Sequence, residues 1–317
     1  MKTIFTFFLL IINITIYAQV TESEKNIRTV TTDTILGWKK GAVTNLGLTQ
    51  VSLTNWAAGG ENSISANALV SLFANYKNEK DAWDNSLDVG YGFLKQGKKK
   101  MIKTDDKIDF TSKYGKKIGK GWYIAALVNF RTQMTDGYNY PNDSIIISRF
   151  MAPGYLLGAL GLDYMPNDNF DLFIAPLTSK STFVMDQKLA NEGAYGVEKA
   201  VYDTTGFLIT KGKTYRSEFG GYIRMTYKKN LMENVFLQNK IDLFSNYLHN
   251  PQNIDINWEV LIALKVNKFL TTSISTQLLY DDDVKISIDK NKDGIVDAIG
   301  PRTQFKEVLA VGLSYKF

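Results

Sequence analysis

Apolar and polar residues alternate along most of this chain, and the clearest example is its last segment, Phe305–Phe317. Side chains point to opposite faces of a strand with period two, so this segment has one large apolar face and one small or polar face. The apolar face carries Leu309, Val311, Leu313, Tyr315 and Phe317. The pattern predicts a β-strand with two unlike faces.

The same period recurs in about twelve segments that are separated by turn residues. The predicted strands lie near residues 42–54, 63–77, 82–94, 105–115, 121–135, 149–165, 169–185, 213–228, 234–248, 253–266, 269–280 and 302–317. Pro153 and Pro176 fall inside two of these segments. Because proline cannot donate to a sheet ladder, we expect β-bulges at both positions.

The lengths of the connections distinguish a soluble β-sandwich from a barrel, since both architectures show this alternation. Short connections at 78–81, 116–120, 166–168, 229–233 and 267–268 alternate with mostly longer ones at 56–62, 95–104, 136–148, 186–212 and 281–301; only 249–252 breaks the rule. This arrangement is typical of outer-membrane barrels. The sequence therefore predicts an all-β fold, a closed antiparallel transmembrane β-barrel of about twelve strands, with both termini in the periplasm.

Three parts of the chain are predicted. Residues 1–18 combine one lysine, an apolar core and a small residue before Gln19, which is typical of a secretory signal peptide. An N-terminal membrane anchor is the alternative, although the apolar run is short for a spanning helix. Residues 19–40 are predicted to be a periplasmic N-terminal segment, and residues 41–317 the outer-membrane β-barrel of a Gram-negative bacterium. The chain has no cysteine, which excludes a lipid-anchoring cysteine and a disulfide framework.

Several stretches resemble known families. The last strand, which ends on an aromatic residue, resembles the closing strand of bacterial outer-membrane β-barrels. Residues 54–63 (TNWAAGGENS), 130–138 (FRTQMTDGY), 148–168 and 174–197 resemble an uncharacterised domain-of-unknown-function family of Bacteroidota outer-membrane barrels. This resemblance implies the barrel, but it implies no reaction and supplies no catalytic residues.

The connection 281–301 contains part of a calcium-loop motif, in which alternate oxygens face a hard cation. The motif residues are Asp289, Asn291, Asp293, Gly294, Ile295 (through its carbonyl) and Asp297. Gly300 stands where the bidentate glutamate is expected, so we expect weak Ca²⁺ binding at most. The alternative is a polar hairpin loop in which aspartate and glycine serve turn geometry. No other cofactor is expected.

Inward positions of the predicted strands carry charges of both signs. The candidate lumen residues are Asp88, Lys107, Asp109, Arg131, Arg216, Glu218, Arg224, Lys240, Asp242, Asp255 and Glu259. The near balance of acids and bases favours paired charges that fill a narrow lumen over a wide ion-selective pore. A small conduit is the alternative, because twelve strands lie between filled eight-stranded barrels and water-filled porins.

Two further groups are candidates for function. Lys98, Lys99 and Lys100 lie in one predicted external loop and could contact phosphates of surface glycolipid; a solvated loop is the alternative. The single histidine, His249, follows Ser245 by four positions, which makes a serine lipase arithmetically conceivable. An exposed loop histidine is the simpler interpretation.

The net charge of +5 alone would suit a nucleic-acid partner, but the lysines lie mostly in turns and one loop. We expect outer-membrane lipids and surface glycolipid as partners, and no nucleic acid. The first function hypothesis is a narrow channel or small-solute transporter without enzymatic activity. The second is a structural or interaction barrel, an accessory to an outer-membrane assembly or export complex. The third, with the least support, is a membrane-embedded lipid hydrolase.

Overall fold

A computed structural model describes residues 36–53, 61–140, 142–167, 169–267, 270–288 and 297–316. Within these residues, twelve long strands form one antiparallel sheet in which strands consecutive in the chain are paired. The strands are β1 Gly37–Val51, β2 Ser63–Lys77, β3 Asp81–Gln96, β4 Ile102–Gly119, β5 Trp122–Thr132, β6 Gly154–Asn167, β7 Phe170–Phe183, β8 Tyr215–Met232, β9 Val235–Asn246, β10 Ile254–Lys265, β11 Leu270–Tyr280 and β12 Gln304–Lys316. The predicted all-β antiparallel class is confirmed.

The sheet closes on itself where β1 pairs with β12, from Val43 opposite Lys316 to Gly47 opposite Gly312. The connections at one end of the barrel are short and include residues 78–80, 120–121 and 233–234; we call this the short-turn end. The connections at the other end, the loop end, include residues 133–153 and 184–214. β1 begins and β12 finishes at the short-turn end, so the described chain enters and leaves the barrel on the same side.

A β-bulge interrupts β7 at Pro176, as predicted. Opposite β8, Ala175 and Thr178 face Tyr222 and Gly220, so β7 holds one residue more than its partner between these two positions. The pairing with β6 shows the same shift. Because one added residue reverses the alternation of faces, the buried face of β7 passes from odd-numbered residues such as Phe173 to even-numbered ones such as Thr178.

The starts of two strands differ most from the prediction, and β4 and β8 extend four residues beyond their predicted ends, to Gly119 and Met232. β6 begins at Gly154 instead of residue 149, because Arg149 and Ala152 form an isolated bridge that ends just before Pro153. Pro153 therefore precedes the strand and causes no bulge. β1 begins at Gly37 instead of near residue 42, and the ring of Trp38 lies 5.4 Å from that of Tyr76. This aromatic contact holds the first residues of β1 against β2.

The outer face of the barrel is apolar. Ile124, Leu160 and Leu177 are 57%, 55% and 56% exposed, although they belong to regular strands. Aromatic pairs lie near both ends of this apolar surface: Trp122 with Tyr164 at the short-turn end and, at the loop end, Phe183 with Tyr215. Exposed apolar surface between two aromatic bands is the arrangement expected of a barrel that meets lipid.

Part of the interior is filled by an apolar cluster on β5 to β9. Leu127, Phe173, Tyr222 and Phe244 form its large members, and Phe173 is fully buried. Small alanines on β5, β6 and β7 let these rings meet inside the barrel. The remaining interior is polar, and it contains the candidate site.

The long loops at the loop end fold into structure of their own. Helix α1, Gln187–Glu192, is capped by Asp186, whose side chain accepts hydrogen bonds from the backbone N–H groups of Lys188 and Leu189. Val184, Leu189, Ala190 and Val197 pack with Ala152 from the β5–β6 loop. No helix in the described part of the chain has both the length and the apolar character needed to cross a membrane.

Candidate functional site

The polar interior contains ion pairs at three levels along the barrel axis. We name them the lower cluster (Lys113, Asp163, Asp171), the middle cluster (Arg224, Lys240, Asp242, Glu259) and the upper cluster (Lys180, Arg216, Glu218, Asp255, Asp281, Asp283). The lower cluster lies toward the short-turn end and the upper cluster toward the loop end. The lower and upper clusters join strands that are not neighbours in the sheet, which places their side chains in the lumen. The middle cluster joins the neighbouring strands β8, β9 and β10, and Arg224, Lys240 and Glu259 also line the cavity described below.

The lower cluster joins β4 to β6 and β7. The ammonium nitrogen of Lys113 lies 2.7 Å from Asp163 Oδ2 and 2.6 Å from Asp171 Oδ2. Both carboxylates are buried. A lysine shared by two buried carboxylates compensates charges that would otherwise be costly to remove from water.

The middle cluster has Asp242 at its centre. Arg224 Nε donates to Asp242 Oδ1 at 2.6 Å, and Arg224 Nη2 donates to Oδ2 at 3.2 Å. The hydroxyl of Tyr222 also donates to Oδ1 at 2.8 Å. Lys240 lies 3.7 Å from Asp242 and 3.5 Å from Glu259. A bidentate arginine and a tyrosine together fix the orientation of this buried carboxylate.

The upper cluster crosses the lumen between β7, β8, β10 and the loop after β11. Lys180 Nζ lies 2.5 Å from Asp255, 3.1 Å from Asp281 and 3.7 Å from Glu218. Arg216 bridges Glu218 at 2.8 Å and Asp283 at 2.7 Å. The upper cluster therefore ties the barrel wall to the loop that follows β11.

A turn of the β7–β8 loop rests on the upper cluster. Gly196 has a φ of +78°, and a Cβ at this position would lie only 2.5 Å from Arg216 Nη1 and 3.2 Å from Asp283 Cβ. The positive φ favours glycine at this position, and a Cβ would displace the end of the Arg216 side chain. The close contact brings the β7–β8 loop over the loop end of the lumen.

A cavity of about 170 Å³ lies on the short-turn side of the upper cluster. Its lining residues come from strands on opposite sides of the barrel, and nearly all are polar. They are Asn75, Asp84, Asn85, Ser86, Asp88, Lys107, Asp109, Thr111, Lys113, Leu127, Asp171, Arg224, Thr226, Lys228, Gln238, Lys240 and Glu259.

The structure brings the predicted lumen residues to the interior. Six of them line the cavity, namely Asp88, Lys107, Asp109, Arg224, Lys240 and Glu259. The others take part in ion pairs of the lumen: Arg131 with Asp109 at 3.3 Å, and Arg216, Glu218, Asp242 and Asp255 in the clusters. Lys180 was missed, because strict alternation places it on the outer face and the bulge at Pro176 turns it inward. Arg149, which the alternation also places inside, lies instead in the β5–β6 loop.

Arg149 connects the two large loops. Its guanidinium donates to both oxygens of Asp136, at 3.1 and 2.9 Å, and to Asp186 at 2.9 Å. Asp186 is also the cap of α1, so one arginine holds the helix of the β7–β8 loop against the β5–β6 loop. The hydrogen bonds from Arg149 lower the pKa of Asp136 below its ordinary value.

Replacing Arg149 by Ala should loosen these loops. We expect chymotrypsin to cut the β5–β6 and β7–β8 loops of the folded protein roughly fivefold faster, since two partly exposed ion pairs are lost. Because the pKa of Asp136 is lowered in the fold, the wild-type contact is complete above the ordinary carboxyl pKa and is lost as the pH falls through the lowered value. Cleavage rates of the Lys188→Ala variant, which changes an exposed residue of α1, should match those of the wild type. Equal rates in the Arg149→Ala protein would contradict this role.

Two of the lysines predicted to contact glycolipid phosphate are paired with carboxylates. Lys100 lies 2.6 Å from Asp143 and Lys99 lies 3.6 Å from Glu61. The hydrogen bond between Lys100 and Asp143 raises the pKa of the lysine and lowers the pKa of the aspartate. Lys98 is exposed beside them. The predicted phosphate contact is therefore weakened at two of its three positions.

Ser245 and His249, the residues of the conceivable serine lipase, each have a different partner. Ser245 Oγ donates to the carbonyl of Pro251 at 2.6 Å, and the ring of His249 contacts the side chain of Asn250 at 3.2 Å. The calcium-loop prediction falls on Asp289, Asn291, Asp293 and Ile295, which lie outside the described residues; of its ligands only Asp297 is described. The segments Lys285–Ile288 and Ala298–Pro301, on either side, pair as an antiparallel hairpin. Among the residues that the structure describes, no acidic or histidine cluster has the arrangement of a metal site.

The fold and this interior define an antiparallel β-barrel with an apolar outer face and an ion-paired polar lumen. The profile of a protein family of unknown function (DUF3078) matches residues 48–138, in agreement with the predicted resemblance to an uncharacterised family. Comparison with curated protein sequences gives no match.

Several solved structures are similar over most of the chain. An outer-membrane channel from Pseudomonas putida F1 has 9% identity and a TM-score of 0.40, with 90% of this chain and 97% of that chain covered. The NanC porin has 9% identity and a TM-score of 0.36, with 87% and 100% covered. The outer-membrane phospholipase dimer of Salmonella typhi, solved with bound calcium, has 12% identity and a TM-score of 0.35, with 90% and 94% covered.

Proposed function

We propose that the chain is a barrel of the outer membrane that acts as a narrow channel or small-solute transporter. The polar cavity of about 170 Å³ is the observation that carries this proposal. A barrel with a purely structural role could fill its interior with apolar side chains, as this one does around Leu127 and Phe173. Keeping charged residues around a cavity instead is costly unless polar solutes or water enter it.

The apolar outer face and the two aromatic bands support a position in the membrane. Strands of roughly 9 to 11 residues cross a bilayer, and every barrel strand here reaches that length. The short-turn end then faces the periplasm, as in other barrels of this class, and carries both ends of the described chain. A signal peptide at residues 1–18 and an origin in Bacteroidota remain sequence-based predictions. Outer-membrane lipids are the proposed partners of the aromatic bands, and Lys98 remains available for surface glycolipid.

A structural or interaction role is the second candidate. The upper cluster and the turn at Gly196 narrow the lumen at the loop end, and the folded loops around α1 offer a surface to a partner. This arrangement supports an accessory of an outer-membrane assembly or export complex. The lipid hydrolase has the least support, since Ser245 and His249 each have a different hydrogen-bond partner. The proposal includes no enzymatic activity.

Recording from planar bilayers distinguishes the first two candidates. We expect the purified full-length protein to give discrete, small unitary conductances, because the lumen is narrow and crossed by ion pairs. The protein boiled before reconstitution is the control and should give none. If no discrete conductance is seen in any salt and the protein is purified from native membranes with a stable partner, the channel proposal is wrong and the interaction role replaces it.

A further inference from the structure

We propose that the cavity is a binding site for a small zwitterionic solute, one that carries an ammonium group and a carboxylate in the same molecule. This inference rests on the proposed channel function and names the class of solute that the channel would select. It starts from the charges of the lining that the protein itself does not neutralise.

Most charged residues of the lining are already paired. Arg224 binds Asp242, Lys113 binds Asp171, and Asp109 is close to Arg131. Lys107 differs from them, because it forms no ion pair within the described part of the chain although it lines the cavity. Lys107 is half-buried, so its ammonium group loses part of its hydration without an ion pair, and a bound anion would be stabilising there.

One carboxylate of the lining forms no ion pair with a described residue, and a second has an oxygen without a hydrogen-bond partner. Asp88 accepts a hydrogen bond from Ser71 at 2.5 Å but forms no ion pair with any described residue. Oδ1 of Asp84 is buried and has no hydrogen-bond partner among the described residues. The lining therefore offers uncompensated charge of both signs, so that a solute with a single charge would satisfy one group and be repelled by another.

The spacing of these groups suits one molecule that bridges them. Asp88 lies opposite Asp109 in the sheet, and Lys107 is two positions from Asp109, so Asp88 and Lys107 are diagonal neighbours. Diagonal neighbours on one face of a sheet are roughly 7–8 Å apart, a separation that the two ends of a dipeptide can span. Asp88 and Lys107 do not form an ion pair with each other in the structure, so both remain available to such a molecule.

A polar group on the far side of the lumen supplies an independent observation. Gln238 of β9 lines the cavity and is only 4% exposed, yet its Oε1 accepts no hydrogen bond from the described residues. A buried acceptor of this kind is uncommon and needs a donor. The ammonium or amide N–H of a bound solute would supply one at a position facing β3 and β4.

Uptake into proteoliposomes tests the inference with three probes of similar size: glycylglycine as the zwitterion, N-acetylglycine as the anion and glycinamide as the cation. We expect saturable uptake of glycylglycine. The two singly charged probes should need about tenfold higher concentrations for half-maximal uptake, because each lacks one charge-assisted hydrogen bond to the site. Lys107→Gln and Asp88→Asn should each raise the glycylglycine concentration at half-maximal uptake by about tenfold, whereas Lys107→Arg should retain wild-type uptake. Lys211→Gln, which removes a charge from an exposed loop residue, is the matched control.

The outcomes separate this inference from the proposed function. Equal, unsaturable uptake of all three probes would leave the channel intact and overturn the zwitterion site. If glycylglycine uptake is saturable but is unchanged in both Lys107→Gln and Asp88→Asn, the site lies elsewhere and the inference is also overturned. Failure of every probe to enter, together with an absence of conductance, would contradict the channel itself and the inference with it. Circular dichroism of each variant, recorded before reconstitution, ensures that only folded barrels are compared.

Discussion

In the proposed channel, replacement of Lys180 by Met should raise both the conductance and the selectivity for cations. One ammonium group lies among Asp255, Asp281 and Glu218; its loss leaves Asp255 and Asp281 facing each other without a cation, while Arg216 still holds Glu218. The mutual repulsion of the two aspartates should draw the loop residue Asp281 away from the wall and widen the passage. Excess negative charge in a confined lumen raises the local cation concentration, so we expect roughly a tenfold rise in the permeability of K⁺ relative to Cl⁻.

Reversal potentials under a KCl gradient across a planar bilayer measure this change. Lys180→Arg keeps the charge and should retain wild-type selectivity, because the guanidinium can still reach the same carboxylates. Lys211→Met makes the same loss of charge outside the lumen and should have no effect on the reversal potential. A Lys180→Met channel with the wild-type reversal potential and unitary conductance would show that the upper cluster does not lie in the conduction path.

The barrel could be predicted because its evidence is local in the sequence. Alternation with period two and the lengths of the connections can both be read from residues that are close in the sequence. Closing the sheet into a barrel requires no additional sequence signal. The ion pairs could not be predicted to the same depth. Alternation indicates that Lys113 faces inward, but its contacts with Asp163 and Asp171 depend on how closely β6 and β7 approach it across the lumen.

Lys180 shows why one missed residue can matter most. Pro176 indicates an irregularity in β7. The sequence does not determine whether the strand gains a residue there or only loses a hydrogen bond. Only the pairing with β6 and β8 shows the gain of one residue, and that single offset moves Lys180 from the lipid side to the lumen. The cap of α1 was within reach of the sequence, since Asp186 directly precedes the helix and aspartate is a favoured N-cap.

Replacement of Arg224 by Met should strongly destabilise the barrel. Arg224 and Asp242 are both buried, and the arginine donates two hydrogen bonds to the carboxylate. Methionine fills much of the space of the arginine stem but leaves Asp242 with only Tyr222 and the more distant Lys240 and Asn257. Breaking a buried pair in this way costs about 3–5 kcal/mol, which should appear as a lower midpoint of unfolding in guanidinium chloride.

The double variant Arg224→Met with Asp242→Leu separates the loss of the ion pair from a loss of packing. Removing both charges eliminates the uncompensated carboxylate, and buried pairs replaced by apolar residues are often neutral or stabilising. We therefore expect the double variant to recover most of the stability lost in Arg224→Met. The ring of Tyr222 lies 5.6 Å from the guanidinium carbon of Arg224. If the double variant is as unstable as the single variant, Arg224 acts mainly through the packing of its side chain against this ring. The middle cluster would then stabilise the barrel by packing and not by its charges.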